Sequence, residues 1–105
     1  MSTYREISPA EAYAARSKVR LVDVREPAEL TGELGRIPDI ENVPLGALAD
    51  ASKGWDRSTE IILVCRSGGR STTAARMLVQ AGFGRVANMT GGMLAYNAAA
   101  LPLTR

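Results

Sequence analysis

The sequence of 105 residues contains no histidine. This absence excludes a Cys–His nucleophile pair, a Ser–His–Asp triad and any histidine-ligated metal site. Only one cysteine, Cys65, is present, so an internal disulfide and a zinc–thiolate cluster are excluded as well. We therefore predict no metal and no cofactor, and the thiol of Cys65 must be activated by something other than imidazole.

Excess charge of one sign and long apolar runs are also lacking. The net charge is +2, and the 13 basic residues are scattered along the chain, so no patch typical of nucleic-acid or membrane binding is predicted. No apolar run is long enough to cross a bilayer, and the N-terminal residues lack the apolar core of a signal peptide. We expect a cytoplasmic protein that binds neither nucleic acid nor membrane.

The composition is that of a globular protein. A hydrophobic content of 46% with 23% charged residues argues against disorder. The length suits one domain with a real core, so residues 1–105 are predicted to form a single domain.

Short apolar runs alternate with helical patterns along the chain. Strands are predicted over 20–24, 60–64 and 84–89 with a brief one near Val43, and helical segments over 9–17, 27–30, 45–51, 72–81 and 93–99. This alternation is typical of βαβ units and predicts a three-layer α/β fold with a mainly parallel central sheet covered by helices on both faces. Ligands of such sheets bind beyond the carboxyl ends of the strands.

The segment Cys65–Ser71 follows a buried strand and precedes a helix, so it lies at that edge of the sheet. Its paired glycines allow a tight turn, and Ser71 is expected to cap the helix that follows. A free cysteine is more often a small buried hydrophobe than a nucleophile. Here, however, clustered backbone N–H groups, a helix N-terminus and the two arginines Arg66 and Arg70 favour a thiol that ionises easily.

The two arginines are not equivalent candidates. Arg70 begins the helix and is the better candidate for a charge directed at a ligand, whereas Arg66 is equally well interpreted as a solvated side chain. Asp23 and Arg25 lie at the carboxyl end of the other buried strand, at the same edge of the sheet as Cys65. We favour a structural ion pair or loop hydrogen bond for them, with a supporting role in the site as the alternative.

The chain resembles a single-domain rhodanese, the sulfurtransferase module, over nearly its whole length. Four motifs in the right order and spacing carry the resemblance: Leu21–Glu26, Gly35–Leu45, Cys65–Ser71 and Gly91–Pro102. They match the family's first strand, its Gly-His-Ile-Pro…Asn-Ile-Pro segment, its active-site loop, and its last helix with the exit from it.

The resemblance implies an α/β fold and a catalytic Cys65 that cycles through a persulfide. The thiolate would take a sulfane sulfur from a donor such as thiosulfate or a persulfide and pass it to cyanide or a thiol, which includes a thiol of a protein acceptor. No general base is needed if the thiol is already ionised. The persulfide would be held by the loop residues, namely Arg66, Ser67, Gly68, Gly69, Arg70 and Ser71.

Several positions depart from the family pattern. Arg36 replaces the usual histidine, and Asp39, Ile40 and Glu41 replace small or apolar residues. Ala100 stands where glycine is usual. Donor and acceptor preference therefore stays open.

Three further functions compete with small-molecule sulfur transfer. Phosphatases and arsenate reductases of related architecture place five residues between cysteine and arginine, whereas four separate Cys65 from Arg70, a loop better suited to a sulfur atom than to a phosphate. A sulfur carrier that relays to a protein partner would use the same persulfide. A purely binding domain is disfavoured because the cysteine is retained.

Overall fold

A computed structural model describes residues 3–105. Its centre is a five-stranded sheet in the order β1-β5-β4-β2-β3, and all of the strands are parallel. The strands are β1 Arg5–Ile7, β2 Arg20–Asp23, β3 Glu41–Asn42, β4 Ile61–Val64 and β5 Val86–Met89.

Helices cover both faces of the sheet. They are α1 Pro9–Ala15, α2 Pro27–Leu30, α3 Leu48–Ala51, α4 Gly69–Gln80 and α5 Gly92–Ala98, and short 3₁₀ turns at Leu45–Ala47 and Ser52–Gly54 flank α3. One apolar cluster joins α3 and α4 to the sheet, and a second joins α1 and α5 to its other face. The predicted three-layer α/β fold is confirmed.

The central strand β4 shows why the sheet needs helices on both sides. All four of its residues are buried, and they alternate between the clusters: Ile61 and Leu63 join α4, whereas Ile62 and Val64 join the α1–α5 side. Strand β2 pairs with β4 in register, with Asp23 opposite Val64. The carboxyl ends of β2 and β4 therefore lie side by side, as the sequence predicts.

Two elements differ from the predictions. Strand β1 is absent from them because it has three residues at the sheet edge, only Ile7 of which is buried, so it lacks a periodic pattern. Helix α4 begins at Gly69 instead of at residue 72, with Gly68 in a left-handed conformation (φ 111°) as its N-cap. The expected cap by Ser71 is wrong, because this residue already lies inside the first turn.

The remaining boundaries agree with the predictions to within three residues. The Ser8 capping box opens α1, which ends at Ala15 with Ala12 fully buried. Among residues 3–105, no helix has both the length and the apolar character required to cross a membrane.

Ala100 occupies a conformation that favours glycine. Its φ is 56°, just beyond the C-terminus of α5, where a side chain is strained. We expect Ala100→Gly to raise the free energy of unfolding by about 1 kcal/mol, because relief of the strain exceeds the entropy that glycine adds to the unfolded chain. Urea denaturation followed by the fluorescence of Trp55 measures the change.

The neighbouring Ala99 is the matched control. It has a right-handed φ of −81°, so Ala99→Gly is expected to lower the free energy of unfolding by about 0.5–1 kcal/mol. Destabilisation by both substitutions would contradict the assignment of strain to Ala100.

Candidate active site

Cys65 directly follows β4, and its side chain lies within the α4-side cluster with 1% of the residue exposed. The N–H of Gly68 donates to its Sγ at 3.0 Å, and the Ser71 Oγ lies 3.3 Å from it. The loop thus folds back over its own cysteine, and the left-handed Gly68 makes this reversal possible.

Two opposing effects determine the acidity of the thiol. Burial raises the pKa of Cys65, but contact with the Ser71 hydroxyl and hydrogen bonds from the backbone N–H groups of Ser71, Gly68 and Ser67 outweigh it. The pKa of Cys65 therefore lies below that of an ordinary thiol. Contacts within the loop lower this pKa, and the arginine charges are not among its largest causes.

The N-terminus of α5 orients the loop backbone. The N–H of Met93 donates to the Cys65 carbonyl at 2.8 Å, and that of Leu94 donates to the Arg66 carbonyl at 3.0 Å. Because these two carbonyls are engaged by α5, the opposite side of the loop presents N–H groups instead of carbonyl oxygens.

Close contact makes a glycine necessary at the start of α5. A Cβ on Gly92 would lie 2.5 Å from the Cys65 carbonyl oxygen and 2.6 Å from the Arg66 carbonyl carbon, and the φ of Gly92 is 58°. Gly91, at φ 76°, is the N-cap of α5. The pair therefore also sets the distance between α5 and the cysteine loop.

Ser71 is buried and does not cap a helix, and its hydroxyl contacts three polar groups. Its hydroxyl lies 2.5 Å from the Oδ1 of Asn88 and 3.2 Å from the Gly68 carbonyl oxygen, in addition to its contact with Cys65. The Nδ2 of Asn88 in turn donates to the Oε1 of Glu6 at 2.9 Å. A chain of hydrogen bonds thus runs from the thiol across β5 to the edge strand β1.

The guanidinium of Arg70 faces α2. It donates twice to the carboxylate of Glu29, at 2.7 and 2.9 Å, and Glu29 also accepts from the N–H of Glu26 in the capping box of α2. The hydrogen bond from Arg70 lowers the pKa of Glu29 to about 2. Arg70, the candidate for a charge directed at the ligand, therefore already has an anionic partner.

Asp23 and Arg25 form a buried ion pair, with Nη2 and Oδ2 2.7 Å apart and side-chain exposures of 0% and 1%. Arg25 also donates to the carbonyl oxygens of Glu29 and Gly35 at 3.3 and 2.8 Å. The pair thus ties the end of β2 to α2 and to the following loop, which is the structural interpretation that the sequence favours.

Arg66, Ser67 and Gly69 are exposed, and Arg66 borders an open pocket of about 320 Å³. Leu94, the one large hydrophobic residue exposed within residues 3–105, lines the same pocket. The further lining residues come from the segment that follows β2: Arg25, Glu29, Gly32, Glu33 and Leu34. This pocket lies beside the cysteine loop, since Arg66 is part of its wall.

The family departures lie elsewhere. Glu41 pairs with Arg20 at 2.9 and 3.0 Å, the backbone of Arg36 pairs with Thr104, and Asp39 adopts a left-handed φ of 65° at the surface. None of the three lines the pocket.

Glu6, Glu29 and Asn88 were not identified from the sequence. Each is polar and lies far from Cys65 along the chain, and no motif marks it. The Asn in the middle of the otherwise apolar β5 was the one available indication, since a buried amide must find partners.

The parallel sheet and a cysteine loop beyond the carboxyl end of its central strand define a class of α/β proteins with a thiol at the strand–helix turn. The rhodanese-like domain family matches residues 8–99. A sulfurtransferase of Allochromatium vinosum is 35% identical over 96 residues, which cover 91% of this chain and 88% of that protein. The chain therefore belongs to the rhodanese-like family.

Two further similarities agree. A thiosulfate sulfurtransferase of Pseudomonas syringae is 34% identical over 93 residues, which cover 88% of this chain and 86% of that protein. The crystal structure of a rhodanese-related protein from Thermoplasma volcanium superposes with a TM-score of 0.85 at 30% identity, covering 96% of this chain and 98% of that one. These relatives support a sulfurtransferase of the rhodanese type.

The contact between Gly92 and the loop can be tested by substitution. We expect Gly92→Ala to lower the free energy of unfolding by at least about 2 kcal/mol, because the added methyl meets backbone atoms in a left-handed conformation. We also expect slower alkylation of Cys65, since the loop must move. Gly84→Ala, where the added methyl meets nothing within 4 Å, is the control and should change stability by less than about 0.5 kcal/mol. Normal stability of Gly92→Ala would contradict the contact.

The Glu29–Arg70 pair predicts a pH dependence of stability. The pKa of Glu29 is about 2 in the folded protein, below its usual 4.5, so its contribution is complete above 4.5 and is lost as the pH falls toward 2. The stability difference between wild type and Glu29→Gln should therefore shrink over this window in acid urea titrations.

Arg70→Gln is the matched variant, because it removes the partner that lowers the pKa of Glu29. It should reduce the same part of the pH dependence. A difference between wild type and Glu29→Gln that stays constant down to about pH 2 would contradict the pair's contribution.

Proposed function

We propose that this protein transfers a sulfane sulfur through a persulfide on Cys65, from a donor such as thiosulfate to a thiophilic acceptor such as cyanide or a thiol. The observation that supports it most is the loop around the sulfur. The Gly68 N–H points at Sγ from 3.0 Å, and further backbone N–H groups lower the pKa of the thiol. The sulfur can then attack as a thiolate without a general base.

The chemistry balances with this one nucleophile. The Cys65 thiolate attacks the outer sulfur of thiosulfate, the S–S bond breaks, and sulfite leaves with the electron pair. The terminal sulfur of the resulting persulfide carries the negative charge, which N–H groups of residues 67–71 would stabilise. Cyanide then attacks the terminal sulfur, thiocyanate leaves, and the bonding pair returns to Cys65 as thiolate.

Loop size argues against phosphate as the substrate. Four residues separate Cys65 from Arg70, and the Arg70 guanidinium is engaged by Glu29 in two hydrogen bonds. A phosphate transition state needs charge aimed at three equatorial oxygens. A single anionic sulfur needs only the nearby N–H groups.

The pocket beside the loop also fits a protein thiol as acceptor. Exposed Leu94 and Arg66 stand next to each other at its wall, since the N–H of Leu94 bonds the carbonyl of Arg66. An apolar contact beside a charge suits a peptide carrying a cysteine as well as a small anion. Sulfur relay to a protein partner is therefore the second candidate.

Intact mass after incubation with thiosulfate tests the first half-reaction. We expect the protein to gain the mass of one sulfur atom and to lose it on addition of cyanide, because the persulfide is the only covalent intermediate in the proposed cycle. Cys65→Ser is the matched control, since it keeps the size of the side chain but removes the nucleophile, and it should gain nothing.

Hydrolysis of an aryl phosphate without any sulfur uptake would overturn the proposal in favour of the phosphatase alternative. If the protein does take up sulfur, comparing the rate of thiocyanate formation with the rate of transfer to candidate thiol proteins separates small-molecule transfer from relay.

A further inference from the structure

The Ser71 hydroxyl has one proton and three acceptors around it. The distances from its Oγ are 2.5 Å to the Oδ1 of Asn88, 3.2 Å to the carbonyl oxygen of Gly68 and 3.3 Å to the Sγ of Cys65. A hydroxyl donates a single hydrogen bond. If the proton points to Cys65, the sulfur receives a hydrogen bond. If it points to Asn88 or Gly68, the sulfur faces a lone pair of the Ser71 oxygen.

Glu6 determines which end of the Asn88 amide faces Ser71. Its Oε1 accepts from the Asn88 Nδ2 at 2.9 Å and from the Thr90 Oγ1 at 2.7 Å. An ionised carboxylate can only accept, so the NH₂ of Asn88 must point to Glu6. The amide oxygen is then left facing Ser71, at the shortest of the three distances.

We propose that Glu6 and Asn88 are positioning residues that draw the Ser71 proton away from the Cys65 sulfur and so restrain formation of the thiolate. The inference rests on the proposed function only in taking Cys65 as the reacting sulfur. It assigns a part in the chemistry to the carboxylate of Glu6 on the edge strand β1. Hydrogen bonds through two residues, Asn88 and Ser71, link this carboxylate to Cys65.

The restraint acts differently on the two states of the cycle. In the persulfide, the Cys65 Sγ carries no charge, so Ser71 can donate to Asn88 at no cost. When the acceptor removes the outer sulfur, the S–S electron pair returns to Sγ, and this thiolate must compete with the Asn88 oxygen for the same proton. The hydrogen bonds from Glu6 through Asn88 to Ser71 therefore favour the persulfide form of the enzyme over the form with a free Cys65 thiolate.

The other charged groups near Cys65 do not take part in the hydrogen bonds that link Glu6, Asn88 and Ser71. α5 contributes no charged side chain, because its sequence is Gly-Met-Leu-Ala-Tyr-Asn-Ala. The charged groups on the loop and on the elements packed around it are Arg66, Arg70 of α4 with its partner Glu29 of α2, the exposed Arg76 of α4, and the pair Asp23–Arg25 at the end of β2. Substitution of Asn88 leaves all of them in place.

The rate at which iodoacetamide alkylates Cys65, measured against pH, tests the proposal. Asn88→Leu removes the competing acceptor with little change of volume, so Ser71 can donate to the thiolate. At about pH 6, well below the pKa of an ordinary thiol, we expect alkylation roughly threefold to tenfold faster than in wild type. The lower nucleophilicity of a more acidic thiol keeps the gain below the full increase in thiolate.

Glu6→Ala provides a second variant at an exposed position, where folding is not at risk. It frees the Asn88 amide to turn its NH₂ toward Ser71, so alkylation should again accelerate. Both substitutions are repeated in a Ser71→Ala background, where no hydroxyl proton remains to be redirected. There we expect neither of them to change the rate.

Two outcomes would overturn the proposal. The first is alkylation in both variants that is no faster than in wild type. The second is an equal acceleration in the Ser71→Ala background, which would indicate altered packing or a through-space charge effect. Alkylation needs no sulfur donor, so a failure here is distinguishable from a failure of wild type to take up sulfur from thiosulfate.

Discussion

The contact between α5 and the cysteine loop is the constraint on which the site depends. Met93 and Leu94 donate their N–H groups to the carbonyls of Cys65 and Arg66, and only glycine at position 92 allows the approach. A backbone whose carbonyls are held on one side presents its N–H groups on the other. The N–H-lined side of the loop is therefore produced by an element that follows it by more than twenty residues in the chain.

Two ion pairs, one buried and one partly exposed, fasten the rest of the site to this frame. The Asp23–Arg25 pair joins β2 to the segment through Gly35, and the Arg70–Glu29 pair joins α4 to α2. A buried charge left without its partner would be costly, so Asp23 and Arg25 hold each other in place. The arginine that sequence spacing points to as a ligand for an anion thus serves first to position α2.

Elements with a strong local pattern could be predicted from the sequence, and elements without one could not. The apolar run of β4 and the Ser8 capping box of α1 each consist of a few consecutive residues, so the pattern is visible in the sequence. Both elements form as expected. Strand β1 has no pattern, because three residues at a sheet edge derive their stability from pairing with β5. Helix α4 begins at Gly69 and not at residue 72, because the left-handed Gly68 is its N-cap. Ser71 lies inside the first turn, where its hydroxyl contacts the carbonyl oxygen of Gly68.

The sequence by itself determined the family and the one thiol that the proposed sulfur transfer can use. With no histidine and one cysteine at a strand–helix turn, Cys65 is the only nucleophile of its kind, and the four motifs place the chain among the rhodanese-like proteins. Only the tertiary structure decided what surrounds that thiol. The partners of Ser71, Arg70 and the loop carbonyls come from Asn88, Glu29 and α5, which are distant along the chain. Hydrogen bonds act over about 3 Å in space, and sequence spacing carries no record of which distant polar groups the fold brings within that range.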